Sequence, residues 1–328
     1  MPDLPLTLTI AGYSRLLPLL SGEVKAEGIA LKLELSGGGS WPARATMLRR
    51  ALHDPDVQGG EQSMAGHLIR IGCGDRSHVG LPVFPLRNFT ARDLYVRKGS
   101  AIRGVADLDG ARIGMYGWAN SGSIWYRHFL SWLGVDLSRL RWCVGPVDAP
   151  RAESIVRSLP EGVSEPPEGK SLSDMLIAGN LDAMYSPPRP ERYHPHDGPI
   201  ARLFPDFRPL EKRYCRETGA FPPQHLIVLR RAVWEANPWI ARSLTDAFIR
   251  CNQAAAEAYR GFPYASPWME AELEEAAELM GEDFYGDGLE KNRHQIELFA
   301  ETGHGAGLTA GRVTVEDYFR EYIAGDNA

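Results

Sequence analysis

The sequence predicts an α/β protein of two lobes, each a largely parallel sheet with helices on both faces. Three observations lead there. Strand-like and helix-like segments alternate along the first half of the chain, as repeated β-α-β units do. The 328 residues exceed one ordinary domain. A proline-rich stretch at 186–225 then interrupts the alternation, and one strand and a run of helices follow it. Residues 1–90 with 200–328 are therefore expected to form one discontinuous lobe, and 91–199 the other. Two chain crossings between lobes make a cleft, the position that small-molecule sites favour.

Each element follows from its local pattern. "LPLTLTIAG" (4–12) reads as the first strand. "GIALKLELSG" (28–37) alternates apolar and polar residues and reads as the second. "WPARATMLRRAL" (41–52) is apolar at helical spacing, with Pro42 suited to a first turn. A glycine pair, Gly59-Gly60, precedes Glu61 and Ser63, and the segment reads as a strand end turning into a helix over 63–71. Strands are expected at 78–86 and 93–99, and a turn and strand at 107–115. A helix follows over 121–135, capped by Ser121 or Ser123, and then a strand over 139–145. Residues 171–190 read as a helix, a Gly-Asn break and a short strand. The stretch 186–225 reads as one long connection. Strand 226–229 precedes helices at 237–262, 267–281 and 285–308.

Composition removes several classes of function. The formal net charge is −6, with both signs interspersed, so no basic block suits nucleic acid or an anionic membrane. No apolar run reaches 18 residues, so no membrane-spanning helix is expected. The N-terminus lacks a basic start, a long apolar stretch and a cleavage site, so no secretory signal is expected. Cys73, Cys143, Cys215 and Cys251 show no CxxC spacing and read as reduced thiols, which predicts a cytoplasmic protein. His194 and His196 in "YHPHD" read as exposed loop residues rather than metal ligands. No HExxH, Ser-His-Asp order or glycine-rich nucleotide loop is present, and neither a metal nor a cofactor is expected. Self-association into a homo-oligomer is left open.

Several segments together resemble the 4,5-dihydroxyphthalate decarboxylase family. They are "GEQSMAGHL" (60–68), "LPVFPLRNFTARDLYV" (81–96), "DLDGARIG" (107–114) and "SIWYRHFL" (123–130). The later ones are "LFPDFRPLEKRYCRETGAFPPQHLIVLRR" (203–231), "NPWIARSL" (237–244) and "GEDFYGDGLEKNRHQIELF" (281–299). They cover nearly the whole chain in family order. The chain departs from the pattern at Gly66 and His67, where members tend to carry serine and tyrosine. The resemblance implies a type II periplasmic-binding-protein-like fold and a lyase that decarboxylates a small hydroxylated aromatic acid in aromatic-compound degradation. A rival reading is a solute-binding protein of the same fold that captures an aromatic or anionic ligand without chemistry. A pyrimidine-precursor enzyme of that superfold has no supporting motif.

The chemistry the resemblance implies assigns roles. Direct loss of CO2 from an aryl carboxylate leaves an unstabilised aryl anion. Ionising a para hydroxyl instead pushes electron density to the carbon that bears the carboxylate. Protonation there gives a dienone-like intermediate, and loss of CO2 restores aromaticity. A donor to that carbon, a group that polarises the phenol and a clamp on the retained carboxylate are required. A cation on the departing carboxylate would stabilise mainly the ground state. His225, stiffened by Pro222 and Pro223, suits the donor; packing at a strand edge is its plain alternative. Glu61 suits the phenol, and Ser63 an oxyanion, unless both merely cap a helix. His67, a turn further on, suits a core or surface position as well as substrate contact. Arg87, Arg92 and Arg189 are candidate carboxylate clamps, because guanidinium matches a carboxylate in two bonds. Asn120 and Ser121 precede a helix whose amides suit an anion, and Trp118 with Phe89 could sandwich a ring or simply pack.

Overall fold

The computed structural model describes residues 2–36, 40–148, 159–261 and 266–325. The expected ends of the second strand at 37 and of the helix at 262 lie outside the described residues. The chain divides into two compact units. Unit 1 comprises Met1–Asn88, Gly219–Glu301 and Thr309–Ala328; unit 2 comprises Phe89–Thr218 and Thr302–Leu308.

Unit 1 begins with β1 (Leu4–Ala11), α1 (Leu17–Ser21), β2 (Ile29–Ser36), α2 (Trp41–His53), β3 (Gly59–Ser63), α3 (Met64–Gly72) and β4 (His78–Leu81). Unit 2 carries β5 (Leu94–Arg97), β6 (Arg112–Met115), α4 (Ser121–Trp132), β7 (Arg141–Val144), α5 (Leu172–Ala178), β8 (Ala183–Tyr185), β9 (Ile200–Arg202) and α6 (Arg208–Thr218). The chain continues through β10 (His225–Arg230), α7 (Arg231–Ala236), α8 (Ile240–Gly261), α9 (Met269–Met280), α10 (Leu289–Gly305), α11 (Val315–Tyr318) and α12 (Arg320–Gly325).

Each unit is an α/β layer around one five-stranded sheet. The order in unit 1 is β2-β1-β3-β10-β4, and in unit 2 β7-β6-β8-β5-β9. Both sheets are mixed: the expectation of largely parallel sheets holds for four of the five strands in each, and the reversed fifth, β10 in unit 1 and β5 in unit 2, corrects it. β1 runs parallel to β2 and β3, whereas β10 runs antiparallel to β3 and β4. β6 runs parallel to β7 and β8, whereas β5 runs antiparallel to β8 and β9. The two antiparallel strands are the first strands formed after the chain passes from one unit to the other. Such a strand does not close a β-α-β crossover, so the connection that enforces parallel pairing is missing.

Three further expectations are corrected. The strand expected over 78–86 ends at Leu81, where Pro82 and Pro85 offer no N–H to a ladder. The stretch 186–225 is not a single connection: it contains β9 and α6. β9 is three residues long and α6 is polar apart from a stripe that buries Tyr214 and Cys215, so neither leaves much periodic signal. Asn120, rather than Ser121 or Ser123, occupies the N-cap of α4.

The site is positioned by the centre of the first sheet. Leu226, Ile227, Val228 and Leu229 of β10 are all fully buried, as the apolar run implies for a strand covered on both faces. Each contributes about 1.5–3 kcal/mol on burial. β3 lies between β1 and β10, and its first two residues must be glycine. A Cβ on Gly59 would meet the Val228 carbonyl oxygen at 2.1 Å, and one on Gly60 the Thr9 carbonyl oxygen at 2.2 Å. Gly60 also holds φ at +152°, which side chains rarely adopt. Gly60→Ala is expected to destabilise the protein by about 2–5 kcal/mol. Urea denaturation checks this, and an unchanged midpoint would contradict the squeeze on β3.

Candidate active site

Strand register brings Glu61 and His225 together. β3 and β10 pair with Glu61 opposite Ile227 and Ser63 opposite His225. His225 is thus the diagonal neighbour of Glu61 on the same face of the sheet, within reach of a long side chain. His225 Nδ1 lies 2.5 Å from Glu61 Oε1. The approach to His225 is braced. Asn88 donates its N–H to the Pro222 carbonyl at 3.0 Å, and Arg87 and Pro223 form a β-bridge.

The Glu61 carboxylate is completely buried and surrounded by donors. Ala11, beyond the last residue of β1 in register with β3, gives its N–H to Oε2 at 2.9 Å. The Tyr13 hydroxyl donates to Oε1 at 2.7 Å. Arg44 Nη1 lies 3.4 Å from Oε1 and donates to the Tyr13 oxygen at 3.2 Å. Arg44 stands on α2, whose N-cap Ser40 accepts the Ala43 N–H and whose first turn holds Pro42.

The electrostatics settle which proton sits where. Burial alone would push the Glu61 carboxyl up. The hydrogen bond and charge of His225, with the Ala11 and Tyr13 donors, instead hold it below the usual carboxylate value. Burial, and then the Glu61 charge, drive the Tyr13 phenol well above its ordinary value, so it stays a donor. Burial would lower Arg44, but Tyr13 and Glu61 keep it above its ordinary value. An ionised Glu61 can only accept, so Nδ1 of His225 carries hydrogen. Nε2 is then the nitrogen that Glu61 leaves over, and it has no hydrogen-bond partner among the described residues. The His225 side chain keeps 11% of its surface exposed.

The other expected site residues of unit 1 are Ser63, which stands opposite His225 in the ladder, His67 and Arg87. Ser63 caps α3, its hydroxyl accepting the Gly66 N–H at 3.4 Å. His67 is a core residue. Its ring packs edge-on to Tyr318 with centroids 4.9 Å apart, and its Nε2 lies 3.4 Å from the Tyr318 carbonyl oxygen. Burial, reinforced by the Arg70 charge, lowers its pKa to about 3. Arg87 is also fully enclosed. Its terminal nitrogens donate to the Phe221 and Gly286 carbonyls and to the side chains of Asn292 and Gln295. A clamp needs unused donors at the ends of its fork, and Arg87 has none there. It bolts the 86–88 strand segment to α10 instead.

Unit 2 holds the rest. Arg92 forms a two-bond pair with its neighbour Asp93, at 3.0 and 3.3 Å. Arg189 is exposed. The face of Trp118 carries the Arg127 guanidinium 3.8 Å from its centroid, and its indole N–H donates to the Ala306 carbonyl. Asn120 makes no side-chain capping bond, although its carbonyl accepts the N–H groups of Ser123 and Ile124. Ser121 is buried in the first turn of α4. His194 and His196 are exposed, and the His194 Nδ1 accepts backbone N–H groups from His196 and Asp197.

Sequence reasoning missed Tyr13 and Arg44. Tyr13 carried a usable signal, because it stands just past the C-terminal end of a parallel strand, where ligand residues of α/β sheets gather. Nothing separates Arg44 from Arg49 and Arg50 on the same predicted helix.

Two curated proteins are similar to the chain. The 4,5-dihydroxyphthalate decarboxylase of Comamonas testosteroni is 30% identical over 329 residues, covering 97% of each chain. The 4,5-dihydroxyphthalate decarboxylase of Pseudomonas putida is 30% identical over 210 residues, covering 63% of this chain and 79% of the other. No protein-family model matches. Among solved structures, a periplasmic sulfonate-binding protein SsuA from Methylobacillus flagellatus aligns over 100% of this chain and 95% of its own, at TM-score 0.53 and 12% identity. The periplasmic aliphatic sulphonate-binding protein SsuA from Escherichia coli aligns over 97% and 100%, at TM-score 0.51 and 14% identity. At such identities the likeness is one of fold, and the fold is that of the periplasmic binding proteins.

Glu61 is depressed in the folded protein. Its stabilising contribution is therefore complete above the unfolded carboxyl value of about 4.3 and fades as pH falls through the lower folded value. The stability gap between wild type and Glu61→Gln is expected to shrink as the pH drops from about 7 toward 3. Urea midpoints across that range measure it, and a gap independent of pH would show that Glu61 is not held ionised.

Proposed function

The chain belongs to the 4,5-dihydroxyphthalate decarboxylase family, and from that membership we propose that it is a carboxy-lyase acting on a hydroxylated aromatic acid such as 4,5-dihydroxyphthalate. The observation that carries the mechanism is the buried Glu61–His225 pair, with one imidazole nitrogen bonded and the other without a partner among the described residues.

His225 delivers the proton. With Nδ1–H held by Glu61, Nε2 holds a second proton and gives it to the ring carbon that bears the leaving carboxylate. An ionised para hydroxyl supplies the electron pair for the new C–H bond. The C–CO2 bond then breaks, its electrons restore the aromatic ring, and Nε2 regains a proton from water. General acid catalysis of this kind contributes about 100- to 10,000-fold.

Glu61 takes a different role from the one its sequence position suggested. Its oxygens already receive donors from Ala11, Tyr13, Arg44 and His225, and none of it is exposed. A substrate phenol has no way to reach it. It orients the imidazole and sets the tautomer, as the carboxylate does in other acid–His pairs. The cytoplasmic location stays part of the proposal, and the four free thiols support it.

His225→Ala is expected to lower CO2 release from 4,5-dihydroxyphthalate at least about 100-fold while ligand-induced thermal stabilisation persists. Unchanged turnover would remove His225 from the mechanism. Ligand binding by the wild type without CO2 release would point to a binding protein instead.

A further inference from the structure

A cavity of about 550 Å3 lies in unit 1 between α8, α9 and the segment that follows β1. The size is within the usual range of small-molecule sites, roughly 300–1,000 Å3. Its lining is mainly apolar, with Ala255, Ala256 and Leu273 from the two helices and the rings of Tyr13 and Tyr285 opposite. One cation among those walls is Arg15, whose guanidinium carbon lies 4.8 Å from the Tyr13 centroid and 4.5 Å from the Tyr285 centroid.

We propose that this cavity binds a planar aromatic carboxylate and that Arg15 is its anion anchor. The assignment follows from what is and is not paired. Two other charges on the cavity wall are matched: Arg260 bonds Glu282, and Asp283 bonds Lys291 at 2.6 Å. Arg15 donates once, from Nη2 to the Pro85 carbonyl. Among the described residues no carboxylate lies within ion-pair distance of it, although the buried Asp287 acts on it through its charge, and Nε and Nη1 have no acceptor. Two tyrosine faces hold the guanidinium and leave its edge as the available donor surface. Such an edge matches a carboxylate bidentately. A cationic ligand is disfavoured, because Arg15 already occupies both tyrosine faces. Glu270 and Glu274 on α9 also border the cavity, but both are exposed, where solvent screens them.

The cavity is joined to the catalytic pair by one residue. The Tyr13 ring forms part of its wall, and the Tyr13 hydroxyl donates to the Glu61 oxygen that receives His225. His225 is not among the lining residues, so the link from Arg15 to the catalytic pair runs through Tyr13. The choice of an aromatic acid rests on the decarboxylase reading; the location of the anion anchor rests on the geometry of Tyr13, Arg15 and Tyr285.

Calorimetric titration with phthalate and with catechol, an aromatic ring without a carboxylate, tests this. Phthalate is expected to bind the wild type, and Arg15→Met to weaken it at least about tenfold while catechol affinity changes less than about twofold. Ala256→Phe fills the cavity from α8 without touching Arg15 and should weaken both ligands. Thermal unfolding of each variant verifies that it is folded. Absence of phthalate binding to wild type, wild-type affinity in Arg15→Met, or unaltered binding of both ligands in Ala256→Phe would each overturn the assignment. CO2 release is read separately. Arg15-dependent binding without release upholds the site and sinks the decarboxylase reading; release with an ineffective Arg15→Met does the reverse.

Discussion

A carboxylate with no exposed surface constrains the first sheet of this protein. A buried charge costs several kcal/mol unless donors surround it. Glu61 has them from four directions: the backbone at the end of β1, the tyrosine beyond it, the arginine on α2 and the imidazole at the head of β10. They come from β1 and the segment after it, α2 and β10, so the carboxylate on β3 is satisfied only when all four elements have assembled. The polar centre of the site is in that sense a folding constraint as well as a chemical one.

Backbone spacing serves the same end. Gly59 and Gly60 let β3 come close enough to Thr9 and Val228 for the next residue to reach between β1 and β10. A parallel ladder on one side and an antiparallel one on the other place Glu61 beside Ala11 and diagonal to His225. Reversing β10 would move His225 to the far end of the strand. The mixed topology is therefore what couples the acid to the imidazole.

Buried arginines in the molecule divide by what satisfies them. Arg87 is enclosed by carbonyl and amide oxygens and serves packing, with burial lowering its pKa to about 10. Arg127 in unit 2 is held by two carbonyls and the face of Trp118, and burial lowers it to about 9. Arg15 differs: it is half-buried, with two tyrosine rings against it and an edge left over. Residue type alone does not separate one guanidinium setting from another, and neither do unused donors by themselves, since Arg127 Nε and Nη2 also lack a partner among the described residues.

The sequence by itself determined the α/β class, most element positions and the residues that make the acid–imidazole pair. Those properties are local or compositional: the apolar run 226–229, the glycine pair before Glu61, and the proline-stiffened approach to His225. Only the tertiary structure decided that β5 and β10 run antiparallel, that His67 and Arg87 are enclosed, and that Tyr13 and Arg44 join Glu61. Strand direction after a crossing between units is not encoded by periodicity. Whether an arginine has free donors depends on which distant carbonyls meet it: Arg87 finds Gly286 and Asn292 about two hundred residues along the chain. Such pairings arise from the packing of the whole fold, which no local pattern of residues contains.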